Sequence, residues 1–115
     1  MKIRNDNCDR MFSLLVRAQA GGRCERCGRA GRLECSHFHG RRKRSTRWDF
    51  GNCAALCYSC HRRFTENPAE HVEWFRKRLG QKRFDALTLR ANLGRAPDRA
   101  LVSLALKAEM ERMGL

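Results

Sequence analysis

Cys24-Glu25-Arg26-Cys27 and Cys57-Tyr58-Ser59-Cys60 are two CxxC knuckles, and between them lie His37, His39 and Asn52, with His61 directly after the second knuckle. Four thiolates arriving as two pairs suit a tetrahedral Zn²⁺. With all four positions supplied by sulfur, none stays open for water or substrate, so the expected role of that metal is structural. The loop it closes is long enough to hold a small supersecondary unit, and function is expected inside it.

Disulfide staples and unrelated buried thiols are the competing readings of these cysteines. A disulfide framework needs an oxidising compartment, and residues 1–7 hold no uninterrupted apolar run of the signal-peptide kind. The expectation is therefore structural zinc in a reducing cytoplasm. Cys8, Cys35 and Cys53 bring the total to seven, an odd number, and read as core thiols that behave as small apolar residues.

The 115 residues contain no apolar stretch approaching the ~20 that a membrane span requires. One domain is expected over residues 1–115, with a zinc-bracketed core at 24–66 and a helical extension at 67–115. A core this small gives limited hydrophobic stability, so metal binding is expected to carry much of the folding free energy. Lysine and arginine total 25 against 12 acidic residues, for a formal charge of +13. That excess argues for a polyanionic partner. With no lipid-modification motif and no tryptophan-rich basic amphipathic helix, the partner is expected to be nucleic acid rather than membrane.

Helical periodicity runs over residues 9–20 and stops at Gly21-Gly22. Residues 33–38 read as a strand, followed by a basic loop with Arg41, Arg42, Lys43, Arg44 and Arg47. A second strand at 53–56 leads into a helix that begins near the second knuckle and carries His61 to Phe64. Asn67-Pro68-Ala69-Glu70 then opens a helix, with Asn67 as N-cap and Val72, Phe75 and Leu79 as its apolar stripe. A further helix over 81–92 ends at Gly94, and Pro97-Asp98 opens a last one running through Leu101, Leu104, Ala105, Ala108 and Met113, read as a packing helix. The fold class is α+β, in the order strand, basic loop, strand, helix.

Cys35-Ser36-His37-Phe38-His39-Gly40-Arg41-Arg42, then Thr46-Arg47-Trp48-Asp49-Phe50-Gly51-Asn52, then Leu56-Cys57-Tyr58-Ser59-Cys60-His61, resembles the HNH, or ββα-metal, nucleases and is most similar to the phage NinG-type recombination nucleases. The resemblance covers residues 24 to 66. It implies a metal-dependent endonuclease that hydrolyses DNA phosphodiesters to 5′-phosphate and 3′-hydroxyl ends, with DNA and recombination proteins as partners. Such a reaction needs a base to activate water, a cation to offset charge on the phosphoryl and leaving oxygens, and a group that holds the base. His37 fits the base, because an unperturbed imidazole is largely neutral at pH 7. By resemblance, Asn52 fixes the histidine strand and His61 binds a catalytic Mg²⁺ or other divalent cation.

One departure stands out: many HNH proteins carry an acidic residue or second histidine just before the base, and here that residue is Ser36. His39 shares a strand face with His37 if the strand stays extended, which makes it a further candidate metal ligand; a phosphate contact or an ordinary surface position are its other readings. For His61 the competing role is support of the zinc from beside Cys60. His71 reads as a packing or surface residue, and Asp49 as the residue that closes a turn over Trp48. The run Arg41, Arg42, Lys43, Arg44 with Arg47 reads as a phosphate clamp. Nothing in the chain looks like base readout, so choice by DNA structure, such as single strands or branched recombination intermediates, is expected. The rival from another class is a non-catalytic zinc-finger DNA-binding recombination accessory protein.

Overall fold

The two short runs read as strands pair with each other. The computed structural model describes residues 3–115, and in it β1 (Glu34–His37) and β2 (Cys53–Leu56) form an antiparallel two-stranded sheet. The register sets Glu34 opposite Leu56, Cys35 opposite Ala55, Ser36 opposite Ala54 and His37 opposite Cys53. An isolated pair of four-residue strands is not stable in water. Here all of β2 is buried, and helices α1 (Asn7–Gln19) and α2 (Tyr58–Glu66) pack against the sheet. The architecture is α+β, with α3 (Pro68–Leu79), α4 (Gln81–Leu93) and α5 (Arg99–Arg112) completing it. Among the described residues no helix is long and apolar enough to cross a membrane.

Helix α1 starts two residues earlier than its apolar periodicity announces, because Asp6 and Asp9 form a capping box. The Asp9 N–H donates to Asp6 Oδ1 and the Asp6 N–H donates to Asp9 Oδ2, both at 2.9 Å. Phe12, Leu15 and Val16 then bury one face of α1, which packs along α5 on one side and on the sheet on the other. The last helix therefore folds back against the first.

Two local expectations are corrected. Asn67 occupies the N-cap position of α3, but its side chain makes no cap bond; Nδ2 donates backward to the Arg63 carbonyl at 2.8 Å and closes α2 instead. In α5 the inward residues are Leu106, Val102 and Met110, joined by Met113 just past its end, whereas Leu101 and Leu104 are 65% and 64% exposed. With apolar residues on both sides of α5, periodicity alone cannot choose a face. Packing on α1 makes the choice. In α3, likewise, Phe75 is fully buried while Val72 is exposed.

The connection between the strands, residues 38–52, is held at several points. Two 3₁₀ turns, Arg44–Thr46 and Phe50–Asn52, shape it. Asp49 caps the second by accepting from the Gly51 N–H at 2.9 Å, and its other oxygen accepts from Arg90 of α4 at 2.8 Å. Ser45 Oγ donates to the Arg90 carbonyl at 2.5 Å. The close approach of loop and helix leaves no room for a side chain at Gly94, where a Cβ would lie 2.4 Å from the Arg90 carbonyl oxygen and 2.9 Å from Ser45 Cβ.

Arg47 departs from its expected place in a phosphate clamp. It is 7% exposed, and its guanidinium forks onto Asp9 of α1, with Nε to Oδ1 at 2.9 Å and Nη2 to Oδ2 at 2.5 Å. Trp48 Nε1 donates to the same carboxylate at 3.0 Å. Hydrogen bonds from these donors outweigh the burial that would raise it, and hold the Asp9 carboxyl below its usual range. Replacing Arg47 by Ala would strand a carboxylate that is only 8% exposed. The expected loss is about 3–5 kcal/mol in urea-induced unfolding, and a loss below about 1 kcal/mol would class the pair with ordinary surface ion pairs.

Candidate active site

Both knuckles converge. Cys24, Cys27, Cys57 and Cys60 each offer a sulfur, and the four sulfurs lie within 4.8 Å of one another. The Cys27–Cys57 separation of 3.8 Å matches the edge of a tetrahedron with ~2.3 Å Zn–S bonds, about 3.8 Å. Burial raises the Cys24 thiol, but backbone N–H groups of Cys27, Cys57 and Arg26 outweigh it and bring the group down to about 6. Burial pushes Cys60 up to about 12, against a hydrogen bond that its sulfur accepts from Arg26 Nη1 at 3.3 Å. Amide donors aimed at one sulfur of a converging set suit a tetrathiolate site, and the four residues fit a structural zinc. The first knuckle is also stitched to β2: the Glu25 N–H donates to the Ala55 carbonyl at 2.9 Å, and Glu25 Oε2 accepts from the Ala55 N–H at 2.6 Å.

A cleft of about 760 Å³ opens beside the sheet, between α1, β1 and α2. His37 and His61 both line it, together with Cys35, Arg10, Arg17 and Arg41. His37 ends β1 and lies 6.0 Å, ring centroid to centroid, from Phe12. Its Nε2 is 2.8 Å from the Arg47 carbonyl oxygen. A carbonyl can only accept, so Nε2 carries the proton and Nδ1 keeps the lone pair. Burial is the largest influence on this ring and lowers its pKa from the ordinary histidine value; the Arg47 carbonyl works the other way, and nearby Arg41 adds to the lowering. The imidazole is thus neutral at pH 7, in one tautomer.

Arg47 connects this ring to the scaffold. Its side chain is locked on Asp9 while its carbonyl holds His37. Asn52, fully buried, clamps the strand exit just beyond: its Oδ1 accepts from the His39 N–H at 2.8 Å, and Nδ2 donates to the His39 and Thr46 carbonyls at 2.9 and 3.0 Å. The Asn52 carbonyl accepts from the Phe38 N–H at 2.7 Å. Both polar atoms of the amide side chain meet backbone on the histidine segment or its loop.

His61 is presented by the first turn and a half of α2. Its Nδ1 lies 2.7 Å from Glu34 Oε2, which leaves Nε2 as the nitrogen free to take a cation. Glu34, and not a residue at position 36, is the carboxylate that meets His61. It stands at the start of β1, and only the packing of α2 on the strand brings it to the histidine; the sequence signal was a carboxylate three residues ahead of His37. Ser36 is 1% exposed and does not line the cleft.

His39 does not join the cleft. Strand β1 ends at His37, so the alternation that would align His39 with it stops; its ring lies edge-on to Phe38 at 4.8 Å and lines no part of the cleft. His71 stacks on Phe64 at 4.8 Å with a 17° interplanar angle, as a packing residue.

Of the basic run, Arg41 lines the cleft, bonded to Asn5 Oδ1 and, at 3.0 Å, to the Ile3 carbonyl. Lys43 reaches Asn92 of α4 at 2.6 Å, and Arg44 borders a separate depression with Trp48 and Arg99. Arg42 is exposed. The walls that sequence reasoning missed are Arg10 and Arg17, seven residues apart and so two turns apart on α1. Their i, i+7 spacing was readable as one helix face, but nothing local tied that face to His37.

Comparison with known proteins gives one match, and it spans the knuckles, the sheet and α2. Residues 24–66 match the family model described as HNH endonuclease. The segment is thus similar to a metal-binding nuclease domain, and the four-cysteine cluster and the two-stranded sheet with α2 fall within the match. Neither the curated proteins nor the solved structures gave a match.

Because burial disfavours the charged ring, a titration of the His37 imidazole by NMR without divalent cation is expected to give a midpoint below the 6.5 of a free histidine. Below pH 6.5 the unfolded chain takes up this proton before the folded one. Stability from this group is therefore lost as pH falls through that window. A midpoint at or above 6.5 would contradict the buried neutral ring.

Proposed function

We propose that the protein is a metal-dependent HNH endonuclease that hydrolyses DNA phosphodiester bonds in the cleft between α1, β1 and α2. The observation that carries this is the convergence of His37 and His61 on one basic cleft, inside the segment that matches the HNH endonuclease model. His37 Nδ1, with its lone pair kept free by the Nε2–H bond to the Arg47 carbonyl, takes the proton from the attacking water. Asn52 holds the strand exit and so the base. His61 Nε2, with its ring set by Glu34, is the atom that would hold a divalent cation such as Mg²⁺, whose chemistry there is to offset charge on the phosphoryl and leaving oxygens. Arg10, Arg17 and Arg41 meet the phosphate backbone and align the scissile bond.

The cleft is lined by Arg10, Arg17 and Arg41, and Asn5, the amide in its wall, has its Oδ1 taken by Arg41, which supports selection by DNA structure rather than by base edges. Single strands or branched recombination intermediates are the substrates of this reading, and a phage-type recombination nuclease is its fullest form. One observation favours the non-catalytic DNA-binding alternative. Among the described residues, no group of three histidine and carboxylate ligands converges in the cleft, so the protein supplies few of the cation's ligands.

The deciding experiment incubates zinc-loaded protein with supercoiled, linear, single-stranded and branched DNA, with Mg²⁺, Mn²⁺ or a mild chelator, beside His37→Ala. Loss of the base is expected to slow cleavage about 10²–10⁴-fold while DNA binding survives. Equal residual cleavage by both proteins, with DNA still bound tightly, would overturn the nuclease reading in favour of an accessory role.

A further inference from the structure

Antiparallel pairing and side-chain alternation put three metal-binding residues on one face of the small sheet. Cys35 and His37 alternate along β1 onto the same face, and Cys53 stands directly across from His37 on β2. Their ligand atoms, two sulfurs and a ring nitrogen, all lie within 4.8 Å of one another. None of them belongs to the tetrathiolate cluster. Tetrahedral coordination needs such atoms about 3.5–3.8 Å apart, a spacing that lies inside that bound.

From this placement we infer that Cys35, His37 and Cys53 form a second metal site, of two thiolates and one imidazole, which takes a soft divalent cation such as Zn²⁺ and thereby silences the base. Ligand chemistry sets the preference: two thiolates and an imidazole favour Zn²⁺ or Co²⁺ over Mg²⁺, which prefers oxygen. The His37 nitrogen with the lone pair is Nδ1, and the bond from Nε2–H to the Arg47 carbonyl is the outer support that metal-bound histidines typically have. Cys35 and His37 line the cleft, which gives the ion its way in, and Cys53, 1% exposed, lies buried behind them, off the cleft wall. Binding releases one proton from each thiol to solvent, and the two thiolates balance the charge of the dication. The lone pair that would accept a proton from water is then held by the metal. The same residues serve as an off-switch responsive to zinc supply, while Mg²⁺ leaves His37 free.

The silencing part of this inference rests on the nuclease reading; the metal site does not. The test adds Co²⁺ to protein already holding one equivalent of zinc, which cobalt does not displace from thiolates because Zn²⁺ binds such sites more tightly. Wild type is expected to bind one further equivalent with a thiolate-to-cobalt charge-transfer band, and Cys35→Ala to lose that band while keeping its zinc and its circular dichroism. Cys53→Ser, in case the core tolerates it better than the cleft variant, should lose it as well. Zinc beyond the first equivalent is expected to inhibit DNA cleavage by wild type and to lose that effect on Cys35→Ala. Absence of a second bound equivalent, or an undiminished band in Cys35→Ala, would overturn the site. DNA cleavage that depends on His37 with no cobalt band would sink this inference alone, whereas a cobalt band in a protein that cleaves no DNA would sink the nuclease reading and leave the metal site standing.

Discussion

Convergence of four cysteine sulfurs is the constraint on which the rest of this small structure depends. Two strands of four residues each cannot hold themselves together in water, and a chain of 115 residues has a modest core to help them. A zinc ion at Cys24, Cys27, Cys57 and Cys60 would tie the turn before β1 to the start of α2, a contribution on the order of 10 kcal/mol in small zinc domains. Glu25 extends that tie into the sheet through both backbone groups of Ala55. The position of α2, and with it His61, follows from where Cys57 and Cys60 must sit.

A second constraint acts on the other histidine. Asp9 closes the first turn of α1, accepts both arms of Arg47 and accepts the Trp48 indole N–H. Arg47 passes that anchorage on, since its carbonyl fixes the tautomer of His37. The two candidate catalytic histidines are therefore set by independent devices, one metal-centred and one built on a buried ion pair. Their meeting in one cleft is a tertiary result, produced by α1 and α2 packing on the same two strands.

What could be read in the sequence was whatever has a fixed local signature. CxxC spacing announced the knuckles, β-compatible runs flanking a basic loop announced the strands, and Gly21, Gly80 and Gly94 announced helix ends. The resemblance added the order of His37, Asn52 and His61. Illegible were relations across the chain. Nothing near Glu34 says that it reaches a histidine 27 residues later, nothing near Arg47 says that it turns inward toward Asp9, and Arg10 and Arg17 look like any exposed helical arginines until α1 lies beside β1. His39 failed for a different reason: β1 ends at His37 and does not extend to residue 39, so the alternation that would put His39 on the face of His37 stops first. In α5 the failure was one of degeneracy, because Leu101 and Leu104 compete with Val102 and Leu106 for the inward face and only the partner helix decides.

The most direct test of this account is the X-ray absorption spectrum at the zinc edge of protein carrying one equivalent of metal. Four sulfur neighbours at ~2.3 Å, with no nitrogen in the shell, are the predicted result and would place the ion on the two knuckles. A shell containing imidazole nitrogen, or a chain that folds with its knuckle cysteines oxidised and no zinc, would contradict it, and the positions of α2, His61 and the cleft would then need another cause.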